Sequence, residues 1–166
     1  MNYLLDTKAC IALINGNPPS VRTKFQKAIG SGSDVFVSSL ALFELWYGVA
    51  KSSRREFNKK RLEAFFAGPI HALAFEDQDA EIGGGIRADL EFIGKPIGAY
   101  DLLIAGQAIR NKLTLVTANL SEFARIGDAE SRRTNKMPLP VWTSPASDNV
   151  ISHSLSLPRF NMFLVK

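Results

Sequence analysis

Five oxygen-bearing side chains in this sequence have the types and the spacing for metal-assisted chemistry. They are Asp6, Glu44, Asp101, Asn119 and Glu122. Carboxylate and amide oxygens are the ligands that Mg²⁺ takes, and the ion usually keeps several waters, so a few carboxylates suffice. An ion held in this way can activate water and neutralise the charge that develops on a phosphodiester. The set predicts a hydrolytic site for Mg²⁺, with Mn²⁺ as the other candidate ion.

Each of these residues also has an ordinary structural explanation. Asp6 and Asp101 are both placed to cap a helix or to favour its dipole. Glu44 lies on an apolar helix face, where a buried carboxylate is costly unless it is paired with a cation or bound to a metal. Glu122 has the spacing for a capping box with Asn119. The expected placement of all five at one edge of a sheet favours the shared site.

The elements that would position these residues alternate along the chain as far as about residue 127. The patterns predict strands at 2–6, 34–38, 70–75 and 113–117 and helices at 7–14, 20–29, 39–50, 54–67, 76–93 and 100–111, with Ser39 as a helix cap and one helical turn from Asn119. This order is typical of an α/β fold, a parallel sheet of about four to five strands with helices on both faces. Ligands of such sheets bind at the carboxyl ends of the strands.

The last part of the chain, 128–166, has a different composition. It holds four of the eight prolines and many serines, and no helical period continues through it. We expect a partly irregular Pro/Ser-rich extension after a first domain of residues 1–127. Residues 140–143 are a candidate edge strand.

Composition excludes several classes of protein. Two histidines and one cysteine argue against a zinc site, and His71 is predicted to be a core residue. The sequence contains no GxxxxGK[ST] loop and no GxGxxG after a strand. No apolar run reaches the roughly 18 residues of a membrane span. A single cysteine and the absence of a secretory signal favour a cytoplasmic protein without membrane contact.

Four stretches of the sequence resemble the PIN-domain ribonucleases, and most closely the VapC-type toxins of bacterial toxin–antitoxin pairs. They are YLLDT (3–7), SSLALFELWYGVAKS (38–52), IRADLEFIGKPIGAYDLLIAGQA (86–108) and LVTANLSEFARI (115–126). The resemblance covers about three quarters of the chain. It implies a PIN-like parallel sheet and magnesium-dependent cleavage of RNA, with tRNA as a frequent target and rRNA as another candidate. It also implies inhibition by a cognate antitoxin, and a homodimer.

The same resemblance assigns roles to the site residues. Asp6 and Asp101 would be the main metal ligands and Glu44 the third acidic residue. Asn119 falls where many relatives have Asp, and Glu122 follows three positions later, as in closer relatives. Aromatic residues are the candidate antitoxin contacts, although core packing explains them equally well: Trp46, Tyr47, Phe65 and Phe66.

Two features depart from the family pattern. Lys8 stands where relatives usually carry Asn, and the chain continues past the segment at which they end. A lysine beside the carboxylates would compete with the metal, whereas a lysine directed to solvent would leave the site alone. The alternative function is therefore a catalytically weakened PIN-like module that binds antitoxin or RNA.

Overall fold

A parallel β-sheet forms the centre of the protein. The computed structural model describes residues 1–134 and 141–142, with side chains through residue 127. Its five strands are β1 (Tyr3–Leu5), β2 (Val35–Ser38), β3 (His71–Leu73), β4 (Thr114–Val116) and β5 (Val141–Trp142), in the order β3-β2-β1-β4-β5. All neighbouring strands pair in parallel. The predicted parallel α/β sheet is confirmed.

Seven helices connect and cover the strands in the described part of the chain. They are α1 (Thr7–Asn15), α2 (Ser20–Gly30), α3 (Ser39–Lys51), α4 (Arg55–Phe66), α5 (Asp77–Phe92), α6 (Ala99–Arg110) and α7 (Leu120–Thr134). The first six agree with the predicted helices to within about two residues. The single turn predicted after Asn119 is wrong, because α7 continues for 15 residues. Phe123 and Ile126 are fully buried and anchor it to the core.

The strand order creates a crevice beside the central strand. From β1 the chain adds β2 and then β3 on one side of the sheet. It then crosses back, so that β4 lies on the other side of β1. Right-handed crossovers therefore put α1–α4 on one face and α5 and α6 on the other. The reversal lies between β1 and β4, and in such sheets ligands bind outside the carboxyl ends of the strands at this point.

A close helix crossing fixes the position of α6. A methyl group built on Gly106 would lie 2.7 Å from the carbonyl oxygen of Asp79 and 2.8 Å from the backbone nitrogen of Gly83, both on α5. Asp79 on α5 is fully buried and forms an ion pair with Arg110, the last residue of α6. Glycine at 83 and 106 thus lets two backbones touch, and the ion pair sets their register. Because α6 carries Asp101 in its first turn, the crossing also positions that carboxylate.

Two local predictions are corrected by the structure. The cap of α3 is Ser38, whose hydroxyl accepts from the backbone nitrogen of Leu40 at 3.1 Å, whereas the Ser39 hydroxyl accepts from the nitrogen of Phe75. His71 is exposed and not in the core, because β3 is the edge strand of the sheet. Its ring packs against that of Phe36, 5.7 Å away between centroids.

The predicted boundary at residue 127 falls inside α7. Most of the Pro/Ser-rich extension, 128–166, lies outside the described residues and stays a prediction, apart from the edge strand at 141–142. None of the helices described is long and apolar enough to cross a bilayer.

Candidate active site

Asp6 lies directly after the central strand, at the crevice. It is 3% exposed. One carboxylate oxygen accepts from the backbone nitrogen of Ala9 at 2.7 Å and so caps α1, and the other accepts from the hydroxyl of Thr117 at 2.6 Å. Burial raises the pKa of Asp6 above its ordinary value, although both hydrogen bonds oppose the rise. The residue is therefore both a helix cap and a member of the crevice.

Glu44 reaches the same edge from α3. Its carboxylate accepts a short hydrogen bond from the hydroxyl of Thr7, the residue after Asp6. This hydrogen bond gives the carboxylate a partner other than the Lys or Arg of the expected alternative. The negative charge of Glu44 contributes to the raised pKa of Asp6, which places the two carboxylates within electrostatic reach of each other.

Asp101 joins them from the first turn of α6. Its Oδ2 accepts from the side-chain amide of Asn119 at 2.9 Å. Burial raises the pKa of Asp101 to about 6, and the hydrogen bond and charge of Glu122 and the charge of Asp6 add to the rise. Like charges held together without a cation have this effect because each disfavours ionisation of the next.

Glu122 completes the group, but not as a capping box with Asn119. Its Oε2 accepts from the backbone nitrogen of Gly98 at 3.1 Å, and this bond lowers the pKa of Glu122. Asn119 uses its side chain on Asp101 and its backbone nitrogen on the Thr117 hydroxyl, 2.8 Å away. The structure thus brings all five predicted residues to one edge of the sheet.

Three residues of this site were not singled out from the sequence. The hydroxyls of Thr7 and Thr117 hold Glu44 and Asp6, and Gly98 holds Glu122. A threonine two residues after β1 and another directly after β4 were the available signals, since a hydroxyl at a strand end can donate to a neighbouring carboxylate. Gly98 carries no comparable signal, because its role depends on a backbone nitrogen.

The donor set fits a divalent ion that prefers oxygen. Among the described side chains, residues 1–127, no three His, Cys, Asp or Glu are grouped tightly enough to form a ready cage. Mg²⁺ does not require one, because it keeps waters and is commonly held by one or two carboxylates. A methyl group at Gly98 would lie 3.4 Å from Oδ2 of Asp101 and 3.7 Å from Oε2 of Glu122, so glycine leaves a space between α6 and α7 that a side chain would fill.

Comparison with known proteins agrees with this geometry. The model of the PIN domain matches residues 3–129. The chain belongs to the PIN-domain family. Its relatives include the ribonuclease VapC2 of Rickettsia felis, 38% identical over 76% of this chain and 92% of that protein. The tRNA(fMet)-specific endonuclease VapC of Shigella flexneri is 39% identical over 76% of this chain and 93% of that protein. The recognised VapC-type resemblance is thereby confirmed.

The fold comparison gives the same result. The crystal structure of VapBC2 from Rickettsia felis bound to a DNA fragment from its promoter contains a chain that superposes with a TM-score of 0.70 at 37% identity. The match covers 75% of this chain and 92% of that chain. The crevice residues of this PIN domain therefore belong to the part that is shared with its relatives.

The raised pKa of Asp101 makes the stability of this PIN domain depend on pH. Between the ordinary pKa of 3.8 and about 6, the folded protein holds a proton that the unfolded chain has lost. The protonated carboxyl of Asp101 therefore adds to the free energy of unfolding at low pH, and this contribution is lost as pH rises through about 6. Above that pH the carboxylate is ionised and available to a cation.

We expect millimolar Mg²⁺ to raise the melting temperature at pH 8 by roughly 3–6 °C relative to EDTA, and by much less at pH 5. The measurement is thermal unfolding followed by circular dichroism, with Asp101→Asn as the variant that should lose the pH-dependent part. Equal shifts at both pH values, or none at pH 8, would contradict a site built on this carboxylate.

Proposed function

We propose that this chain is a magnesium-dependent endoribonuclease whose substrate is a tRNA or an rRNA. The observation that carries the proposal is that Asp6, Glu44 and Asp101 lie together at the edge of the sheet where the strand order reverses, between β1 and β4. They do so in a PIN domain whose relatives are named ribonucleases. A tRNA is the first substrate to test, because one relative is named a tRNA(fMet)-specific endonuclease.

The residues divide into ligands and positioning groups. Asp6, Glu44 and Asp101 would hold the ion, which supplies charge neutralisation at the scissile phosphate when it is bound. Asn119 orients Asp101 through its side-chain amide. Glu122 adds its negative charge beside Asp101. Thr7 and Thr117 hold their carboxylates by donated hydrogen bonds, so the ligands need little rearrangement to receive the ion.

The alternative of a weakened module rested on Lys8 and on the C-terminal extension, most of which lies outside the described residues. The Lys8 side chain is exposed and forms no ion pair with the carboxylates of residues 1–127. Its charge lowers the pKa of Asp6, against the effect of burial. These contacts correspond to the lysine directed to solvent and favour the active enzyme.

The test of the function is direct cleavage. Purified protein is incubated with total tRNA and with rRNA, in Mg²⁺ or in EDTA, and the new ends are mapped. Discrete cuts that require the ion support the proposal. Intact RNA under both conditions, with protein that is folded by circular dichroism, would refute it.

We propose that an antitoxin binds in a groove beside α1. A groove of about 500 Å³ runs between α1, α2, α4 and the start of β3. Its apolar walls include Phe25 and Phe65, and its rim carries Arg22 and Arg61. Such a groove fits an apolar segment that bears a carboxylate. Phe65 therefore remains a candidate contact, whereas Trp46, Tyr47 and Phe66 do not line this groove.

Charge reversal at the groove rim should release the antitoxin and leave cleavage unchanged. Arg22→Glu is expected to weaken inhibition by the cognate antitoxin by about tenfold or more, because an Arg–carboxylate contact becomes a repulsion. The measurement is the antitoxin concentration that halves cleavage. Arg87→Glu, on the exposed face of α5, is the matched control. Equal inhibition of both variants would place the antitoxin elsewhere.

A further inference from the structure

Lys8 carries a positive charge at the end of α1 where the helix itself favours a negative one. It lies in the first turn, one residue after Thr7. The amino end of a helix has a partial positive charge, so a cation there gains nothing from the dipole. The residues three and four positions further on, Ile11 and Ala12, are uncharged and offer no ion pair along the helix. The stability of α1 therefore does not explain this lysine.

The ammonium of Lys8 also has no partner on other elements. The side chain is exposed, and it forms no hydrogen bond or ion pair with any side chain that the structure describes, residues 1–127. The stem of a lysine is flexible and its ammonium is a compact charge with three donors. This charge is therefore available to an anion that arrives from solvent.

Lys8 lies beside the proposed metal ligands. The residue before it, Thr7, donates to Glu44. Asp6 caps the same turn of α1 and accepts from the backbone nitrogen of Ala9 at 2.7 Å. The charge of Lys8 lowers the pKa of Asp6, so the two groups are within electrostatic reach of each other. An anion bound at the carboxylates through a metal ion would have this ammonium at its border.

We propose that Lys8 binds a phosphate of the RNA strand next to the phosphate that is cut. The proposal rests on the proposed ribonuclease function and adds a substrate-binding residue to it. RNA carries one phosphate per nucleotide, so a strand whose scissile phosphate lies at Asp6 and Asp101 presents its neighbouring phosphates to the groups around them. A lysine ammonium binds phosphate as a point charge and does not require the fixed approach of a guanidinium.

Arg125 provides a contrast on the α7 side of the site. Its charge lowers the pKa of Glu122, so it also lies near the carboxylates. Its Nη1 donates to the carbonyl oxygen of Pro96 at 2.9 Å, and this bond holds the guanidinium against the loop before α6. Arg125 therefore contributes to the structure around the site, whereas the ammonium of Lys8 is left for a substrate.

Competition with the metal ion is the other role for a lysine at this position. It would require the ammonium to pair with Asp6 or Glu44. The oxygens of Asp6 accept instead from Ala9 and Thr117. Glu44 accepts from Thr7. Phosphate binding agrees better with these contacts. The two roles predict different losses, since one concerns the affinity for RNA and the other the affinity for Mg²⁺.

The experiment measures these two affinities separately. Fluorescence anisotropy in EDTA gives the affinity for a labelled unstructured 12-nucleotide RNA over a series of KCl concentrations. Thermal unfolding over a magnesium titration gives the concentration at which half of the rise in melting temperature is reached. Lys8→Asn removes the charge, and Lys8→Arg keeps it.

Lys112→Asn is the matched control. It makes the same change at an exposed lysine just before β4, at the amino ends of the strands and so at the opposite edge of the sheet. Asparagine suits this position, because the backbone of Lys112 is left-handed with φ at 53°. The control therefore removes one charge from the protein without removing it from the site.

We expect Lys8→Asn to bind the RNA about threefold or more weakly at about 50 mM KCl, and to reduce the slope of log affinity against log salt by about 0.7, as for one lost phosphate contact with a single strand. Lys8→Arg should behave as wild type, and Lys112→Asn should change neither value. An unchanged RNA affinity in Lys8→Asn, or an equal loss in Lys8→Arg or in the control, overturns the proposal. Half-saturation at lower Mg²⁺ with wild-type RNA affinity overturns it too and assigns Lys8 to competition with the ion.

The outcome is separable from that of the proposed function. Magnesium-dependent cleavage by the wild-type protein tests the nuclease itself. If the protein cleaves RNA while Lys8→Asn binds it unchanged, only the assignment of Lys8 fails. If the protein binds RNA through Lys8 and does not cleave it, the nuclease function fails and the contact stands.

Discussion

Asp101→Asn is expected to reduce magnesium-dependent RNA cleavage by on the order of 10²–10³-fold, the largest loss of activity among single substitutions of this PIN domain. The change removes one charge from the edge and keeps the shape of the side chain. The amide can still accept from Asn119, which holds Asp101 at 2.9 Å. Initial cleavage rates over a magnesium titration measure the effect.

The same substitution should leave the fold intact. Because the pKa of Asp101 is raised to about 6, its ionised form opposes folding at neutral pH. We expect the variant to be about 1 kcal/mol more stable than wild type in EDTA at pH 8, after allowance for screening by solvent. Glu91→Gln removes an equal charge at the far end of α5 and should keep full activity. Wild-type cleavage by Asp101→Asn would remove this residue from the site.

Gly106→Ala is expected to cause the largest loss of stability. The added methyl group would lie 2.7 Å from the Asp79 carbonyl oxygen and 3.1 Å from the Cα of Gly83, and neither backbone atom can move without separating α5 from α6. We expect a loss of about 3 kcal/mol and a melting temperature lower by roughly 10 °C. Urea unfolding followed by circular dichroism gives the free energy of unfolding.

Gly84→Ala is the matched control for this effect. It makes the same chemical change one residue from Gly83, but no atom lies within 4 Å of the added group. Alanine is the better helix former by up to about 1 kcal/mol, so this variant should be equally or more stable than wild type. If both alanine variants unfold alike, the close crossing does not limit stability.

Much of the fold follows from the sequence because its strands are short, apolar and bounded by clear turns. The helix ends were harder to predict. Ser38 and Ser39 are chemically equivalent candidates for the cap, and only the backbone geometry selects Ser38. The length of α7 depends on Phe123 and Ile126 meeting a core that the local pattern does not reveal. His71 was misplaced because the sequence does not show that β3 is an edge strand.

The membership of the site was more predictable than its internal bonding. Carboxylates after β1 and in the first turn of α6 converge because parallel strands end at a common edge. The partners that hold them come from distant segments, as Thr117 does for Asp6, and side-chain direction decides which hydroxyl or amide is used. The glycine at 98 could not be assigned, because a missing side chain leaves no chemical pattern.

The strand order also determines when the site can exist during synthesis. β1 is the first strand made, yet its neighbour β4 and the Thr117 hydroxyl that holds Asp6 come 111 residues later. Contacts this distant form only after the intervening chain has been made and collapsed. A nascent chain that stops before β4 has no partner for one side of β1 and no assembled carboxylate edge. Prematurely terminated products of this gene are therefore expected to lack nuclease activity.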